Sequence, residues 1–94
     1  MILGVLTKQP SERRDIDLTF AKWLAKRPGD SLASAVSAVD PAGLAVESPV
    51  VASPIVKQWF SGGVDGQTYK VTVTVTTTQG RIEEVEFKVR VREV

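Results

Sequence analysis

The chain has 94 residues, enough for one domain with a modest core, and a net charge of +1 from interspersed acidic and basic residues. It contains no cysteine, histidine or asparagine, which excludes disulfides, histidine-dependent nucleophiles, nearly all zinc, haem and iron–sulfur ligand sets, and N-glycosylation. We therefore expect no catalytic residue, no metal ion and no cofactor, and the mixed charge predicts no binding to nucleic acid or to a membrane.

The first twelve residues precede the patterned part of the chain. Their apolar run, "MILGVL", is shorter than the about 7–15 residues of a signal-peptide core and the about 20 residues of a transmembrane helix. We expect residues 1–12 to form an N-terminal arm that is either disordered or an added strand. Residues 13–94 are expected to form the domain.

The next segment predicts a strand followed by a helical turn. "RDIDLTF" alternates apolar and polar residues, as a strand with one buried face does. Phe20, Trp23 and Leu24 then follow the i, i+3, i+4 spacing of a helix. This change predicts one short helical turn near residues 20–26, which the Pro-Gly pair after it ends.

The last two strands give the clearest pattern, because valine or phenylalanine alternates with polar residues in both. Their apolar residues all fall on odd numbers, so the loop between the strands must contain an odd number of residues. A three-residue loop, Thr78-Gln79-Gly80, with a left-handed Gly80 meets this condition. The same register places Lys70 opposite Lys88, which is a mild electrostatic conflict.

The stretch "SGGVDGQTYKV" predicts how the chain crosses between two sheets. In immunoglobulin-like sandwiches a tyrosine near the start of the penultimate strand bonds back to the backbone upstream and fixes this crossover. Tyr69 stands at that place, and an aspartate four residues earlier, here Asp65, is typical of such domains. Gly66 and the pair Gly62-Gly63 allow backbone conformations that other residues resist. The alternative is a half-buried Tyr69 in a sheet of another topology.

The sequence therefore predicts an all-β fold, an immunoglobulin-like antiparallel β-sandwich of six to seven strands, with Asp65, Gly66 and Tyr69 as its structural corner. Residues 48–53 are expected to form an edge segment or a loop, because prolines flank them. The predicted strands are A at 13–20, B at 31–39, C at 43–48, E at 55–60, F at 69–77 and G at 82–93, with D short or missing.

Several stretches, taken in order, resemble a known family of small immunoglobulin-like structural proteins encoded among the tail genes of tailed bacteriophages and prophages. These proteins share a Lys-Gln-Pro opening, an Asp–Phe–Trp-Leu segment, a Gly-Asp-Ser/Thr turn and a Gly-Gly…Tyr…Thr-Thr-x-Gly-Arg block. The resemblance spans roughly residues 8 to 82. The matching residues are Lys8, Gln9, Pro10, Trp23, Leu24, Gly29, Asp30, Ser31, Gly62, Gly63, Tyr69, Thr77, Gly80 and Arg81.

The resemblance implies a non-enzymatic structural or adaptor protein that joins fibres to the tail by protein–protein docking. Its partners would be other phage tail or fibre proteins, with a symmetric homo-oligomer as one form of the assembly. Its location would be the virion tail, or the bacterial cytoplasm during expression from a prophage. The alternative is a carbohydrate- or ligand-binding sandwich module of the adhesin type, with Trp59 and the glycine loop near the ligand.

Two surface features are candidates for docking. Lys88, Arg90 and Arg92 share one face of the last strand, which is an edge strand in the predicted fold. Charges at an edge discourage uncontrolled pairing, and the same charges are suited to docking a neighbouring virion protein. Trp59 is out of phase with the apolar positions around it, so it belongs either to the core or, like many interface tryptophans, to a contact surface; the same choice applies to Trp23.

Carboxylates offer the remaining chemistry. One group has oxygen ligands suited to Ca²⁺, and the other resembles the paired carboxyls of glycosidases. Solvated strand faces and turns explain both groups better, because no Asp-x-Asp-x-Asp-Gly loop is present and the domain has little room for a cleft. The two groups are Asp15 and Asp17 with Asp30 or Asp40, and Glu83, Glu84 and Glu86.

Overall fold

A computed structural model describes the backbone of residues 2–93 and the side chains of residues 4–93. Among these residues, no helix is both long and apolar enough to cross a membrane. The elements are β1 (Ile2–Lys8), β2 (Arg13–Thr19), α1 (Ala21–Ala25), β3 (Leu32–Asp40), β4 (Leu44–Val46), β5 (Val50–Ala52), β6 (Ile55–Gly62), β7 (Thr68–Thr77) and β8 (Ile82–Val91).

The strands form two sheets packed face to face. The first sheet has the order β1-β8-β7-β3, and the second has the order β2-β6-β4, with β5 also paired to β6. Every pairing is antiparallel except that of β1 with β8, which is parallel. The predicted all-β sandwich and the predicted helical turn, here α1, are confirmed. The described strands number eight because β1 and the short β5 add to the predicted set.

The sheet order corrects the predicted strand letters. In an immunoglobulin domain, strands C, F and G share one sheet, and strands B, E and D lie in the other. The observed order therefore makes β2 strand B, β3 strand C and β4 strand D, so the predicted letters A, B and C are each wrong by one position. The shift arises because β1 lies in the first sheet beside β8, whereas the prediction began its lettering at residue 13.

The prediction that the last strand is an edge is also wrong. β8 lies between β7 and β1, because residues of β1 from Ile2 to Lys8 pair with residues 86–91. The edges of the first sheet are β1 and β3. The charges on β8 therefore do not protect an edge, and edge protection does not explain why Lys88, Arg90 and Arg92 are present.

The hairpin between β7 and β8 has the predicted register. Lys70 pairs with Lys88, and the Thr77 N–H donates to the carbonyl oxygen of Arg81 at 2.8 Å across the three-residue loop. Gly80 has a φ of 87° in that loop, which is the left-handed region that glycine adopts most readily. The conflict between the two lysines is reduced because Lys70 Nζ lies 3.7 Å from a Glu86 carboxylate oxygen.

The core lies between the inward faces of the two sheets. Phe60 of the second sheet meets Phe87 of the first, with ring centroids 5.8 Å apart. Burial of the odd-numbered residues follows the predicted alternation and removes their apolar surface from water. The buried residues of β7 and β8 with apolar or aromatic side chains are Tyr69, Val71, Val73, Val75, Val85, Phe87, Val89 and Val91.

The sandwich is elongated, 45 × 19 × 18 Å, and its two ends carry the connections that organise the surface. We call the end where residues 63–67 lead from β6 to β7 the corner end. We call the end with the loop 78–80 between β7 and β8 the hairpin end.

Candidate docking surface

At the corner end, Tyr69 fixes the passage from the second sheet to the first. Its side chain is buried, and its hydroxyl accepts a hydrogen bond from the Val64 N–H at 2.9 Å, which holds the connection against the start of β7. Gly63 has a φ of 98°, and a Cβ there would lie 2.6 Å from Cγ2 of Val91. Glycine is therefore needed at this position both for the backbone conformation and for space.

The rest of the corner is joined to the end of β8. The Gly66 N–H donates to the Val91 carbonyl oxygen at 2.8 Å, and the Glu93 N–H donates to Asp65 Oδ1 at 2.9 Å. Asp65 and Gly66 are both exposed, yet their hydrogen bonds are made within the chain. The two residues thus hold the corner in place.

Lys8 connects the first motif of the family resemblance to the Gly-Gly pair. Its side chain is buried, and its ammonium donates to the carbonyl oxygens of Gln9, at 2.6 Å, and of Gly62. Burial lowers the pKa of Lys8, while the nearby Glu12 acts in the opposite direction. Sequence reasoning found the Lys-Gln-Pro motif but not this contact, because lysine is rarely buried and nothing local marks its distant partner.

At the hairpin end, Asp30 joins the Gly-Asp-Ser turn to the Thr-Thr-x-Gly-Arg block. Its side chain has no exposed surface, and its oxygens accept hydrogen bonds from the backbone N–H groups of Ser31, at 2.9 Å, and Gln79, at 3.2 Å. They also accept bonds from the Thr78 hydroxyl at 3.1 Å and from Arg81 Nη1 at 2.9 Å. Asp30 therefore fixes the loop before β3 against the hairpin loop.

These contacts determine the protonation state of Asp30. Burial alone would raise its pKa, but hydrogen bonds from Thr77, Arg81, Ser31 and Thr78 favour the carboxylate and hold the pKa at about 2. The group is thus an anion at neutral pH. Its interactions within the fold explain its place in the motif without any ligand.

The outer face of the second sheet is internally paired. The Arg13 guanidinium lies 4.0 Å from the ring centroid of Trp59 and makes two hydrogen bonds with Glu47, at 2.7 and 2.9 Å. Lys57 Nζ lies 2.9 Å from a carboxylate oxygen of each of Asp15 and Asp17. Trp59 is therefore on the outer face rather than in the core, beneath a charged pair of the same molecule.

The acidic residues considered for Ca²⁺ are not brought together. Asp15 and Asp17 bind the same lysine on the second sheet, whereas Asp30 lies at the hairpin end. Within residues 4–93 no group of three or more acidic residues is arranged to hold a metal ion. Trp23 is half-buried against the core, with its ring 6.3 Å from that of Phe20.

The outer face of the first sheet carries a charge pattern along β8. Glu84 and Glu86 lie toward the hairpin end, and Lys88, Arg90 and Arg92 are exposed toward the corner end. We call Lys88, Arg90 and Arg92, together with Lys70 on the neighbouring strand, the basic strip. Within the part of the chain that the structure describes, the first three make no ion pair, whereas Lys70 lies 3.7 Å from Glu86.

The motifs lie within the range that a known protein family matches. The sequence model of the family described as podophage GP4 fiber-tail adaptor protein gp77 matches residues 8–90, which is most of the chain. The matched range includes both motif contacts, at Lys8 and at Asp30, and most of the basic strip. No curated protein matched the sequence.

Proposed function

Because the chain belongs to the family of podophage GP4 fiber-tail adaptor proteins, we propose that it joins fibre and tail proteins in a phage particle as a non-enzymatic structural adaptor. The observation that carries the docking mechanism is the basic strip on the first sheet. Three neighbouring cations on one face, which make no ion pair within residues 4–93, form a surface that an acidic partner can complement. The partner is a neighbouring tail or fibre protein, and the site of action is the virion tail.

The outer face of the first sheet is better suited to binding a partner than the outer face of the second sheet. Arg13, Lys57 and their carboxylate partners already satisfy one another around Trp59, so a partner would have to break those pairs to bind there. On the first sheet, binding replaces water around the cations with partner carboxylates and breaks no ion pair of Lys88, Arg90 or Arg92 with any described residue. Such complementarity sets the orientation and the rate of association.

The structure gives less support to a sugar-binding module. A ring that stacks on a sugar must be open on one side, and the guanidinium of Arg13 lies over Trp59 at 4.0 Å. Nor do Glu84 and Glu86 resemble a glycosidase pair, since they lie along one exposed strand face rather than across a cleft. The adaptor role therefore stands as the proposal.

The test uses the tail and fibre proteins encoded by the phage or prophage that carries this sequence, each purified and titrated against the chain. We expect one of them to bind, with affinity that falls as salt increases. The triple variant Lys88→Glu, Arg90→Glu and Arg92→Glu should lower that affinity at least about tenfold, by placing like charges against the acidic partner.

A control variant distinguishes an effect of the basic strip itself from an effect of the change in net charge. Arg14→Glu, Lys22→Glu and Lys26→Glu reverse three other exposed cations and change the net charge equally. This variant should bind with nearly wild-type affinity. Equal binding by both triple variants would remove the basic strip from the mechanism. Binding of glycans by the isolated chain, with no tail or fibre protein bound, would favour the adhesin alternative.

A further inference from the structure

The first sheet has one edge strand with few of the features that normally prevent strands of different molecules from pairing. β3 is nine residues long and pairs only with β7 among the described strands. Its sequence, LASAVSAVD, contains no proline and no charged residue before Asp40. Natural proteins usually protect such an edge with charges, proline, bulges or a short strand.

The other edges each carry one of these protections. β1 has a register irregularity between Ile2 and Val5, and β4 and β5 have only three residues each. β2, at the edge of the second sheet, begins with Arg13 and Arg14 and continues with two aspartates. β3 also has a register irregularity, between Leu32 and Ser34, but residues 34–40 after it pair regularly with β7 and carry no charge before Asp40. In the described part of the chain this is the longest regular stretch of uncharged edge.

The surroundings of β3 leave room for another strand. The Val36 side chain is 66% exposed near the middle of β3. A groove of about 250 Å³ separates this part of β3 from the segment that follows β4. The residues that line it are mostly small or apolar: Ala35, Val36, Ser37, Val46, Glu47, Ser48 and Pro49.

We propose that β3 pairs with β3 of a second copy of this chain, antiparallel and centred on Val36. In this register Val36 faces its symmetry mate and Ser34 lies opposite Ala38, while Asp40 lies opposite the register irregularity between Leu32 and Ser34. Directly opposed residues interact most strongly, and here no two like charges are opposed. An in-register parallel pair would instead bring the two copies of Asp40 together.

The second copy is favoured over a foreign strand because β3 is complementary to itself. The uncharged residues 34–39 meet their own copy without repulsion, and a two-fold pairing uses the same edge of both molecules. The pairing closes at two copies and leaves both basic strips exposed on the joined sheet. It extends the adaptor proposal without depending on it, because β3 and the basic strip are different surfaces.

The first test is the molecular mass of the purified chain in solution, measured by sedimentation over a range of concentrations. We expect a monomer–dimer equilibrium, since the pairing surface is a single strand edge. Val36→Lys should abolish the dimer, because it places two lysines opposite each other. Ile82→Lys is the matched control: Ile82 is also an exposed apolar residue, at 70%, but lies on β8 away from the β3 edge, so this variant should dimerise like the wild type.

The second test fixes the register. Val36→Glu should also be monomeric alone, whereas an equimolar mixture of Val36→Lys and Val36→Glu should form a dimer, because opposite charges then meet at the two-fold axis. A wild-type chain that stays monomeric up to about 1 mM would overturn the proposal. So would a Val36→Lys variant that dimerises like the wild type, or a mixture that stays monomeric. A strand of another tail protein bound at β3 of a monomeric chain would overturn it as well.

Discussion

The two ends of the sandwich and the outer face of its first sheet use their polar residues in different ways. At the ends, the side chains of Lys8 and Asp30 are buried, and their charged groups are bound by the chain itself. On the face, Lys88, Arg90 and Arg92 are exposed and make no ion pair within residues 4–93. Substitutions at the ends should therefore change folding stability, and substitutions on the face should change binding.

The buried contacts at the two ends also explain why the family motifs contain these residues. The Lys-Gln-Pro and Gly-Gly motifs meet through Lys8 and Gly62, and the Gly-Asp-Ser turn meets the Thr-Thr-x-Gly-Arg block through Asp30 and Arg81. Each pair joins residues that are more than fifty positions apart in the chain. The motifs that make the family recognisable thus maintain the fold, and they lie outside the basic strip proposed for docking.

The largest effect on stability is expected at Gly63. Gly63→Ala adds a Cβ 2.6 Å from the buried Val91 side chain and forces alanine into a left-handed conformation. Overpacking and the unfavourable φ together should lower the free energy of unfolding by about 3 kcal/mol. Gly66→Ala is the control, because its φ is 87° but no atom lies within 4 Å of the added Cβ. Denaturant unfolding should give about 1 kcal/mol for it; equal losses would rule out the steric contact.

The next largest effect is expected at Lys8. Lys8→Met keeps most of the side-chain length but leaves the carbonyl oxygens of Gln9 and Gly62 without their donor. Loss of these buried hydrogen bonds should lower the free energy of unfolding by about 2 kcal/mol. Lys22→Met, on the exposed face of α1, should change it little. A stable Lys8→Met variant would show that the motif contact does not maintain the corner.

A smaller, pH-dependent effect is expected at Asp30. Because its pKa is about 2 in the folded protein against a usual value of 3.8, the carboxylate contributes stability that is complete above pH 3.8 and is lost as the pH falls toward about 2. Asp30→Asn should therefore melt several degrees below the wild type at neutral pH. Thermal melts at successive pH values should show this difference shrinking between about pH 4 and pH 2. A difference that does not change with pH would assign the effect to packing rather than to charge.

The smallest effect on stability is expected on the basic strip. Arg90→Glu removes an exposed cation that makes no ion pair within the described residues, so the melting temperature should stay close to that of the wild type. Its binding to the tail or fibre partner should weaken, with the change mainly in the association rate at low salt. An Arg90→Glu variant that lost stability but kept its binding to the partner would contradict the view that residues of this face serve binding and residues of the ends serve stability.

The local patterns of the sequence predicted the parts of the fold that depend on neighbouring residues. Alternation of apolar residues predicted β7 and β8, and parity with Gly80 predicted their register. The patterns did not predict the pairing of β1 with β8, because a parallel partner almost the whole chain away leaves no local signal. Without β1, the sequence pattern predicts the last strand as an edge and starts the strand letters one position late.

The candidate site was predictable only in part, because contacts between residues far apart in the chain leave no local signal. The alternating positions of Lys88, Arg90 and Arg92 are visible in the sequence, but their lack of ion pairs with the described residues is not. An aspartate after glycine is typical of an exposed turn, so the burial of Asp30 could be found only by locating Arg81 and the hairpin loop beside it. Pairing over long sequence distances decides which charges remain available for a partner.

The most direct test of the central claim is lysine labelling of the assembled tail, read by mass spectrometry and compared with the isolated chain. We predict that Lys70 and Lys88 become protected in the particle while Lys8, which is buried, reacts slowly in both samples. Labelling of Lys70 and Lys88 in the particle at the rates of the isolated chain would contradict docking through the first sheet.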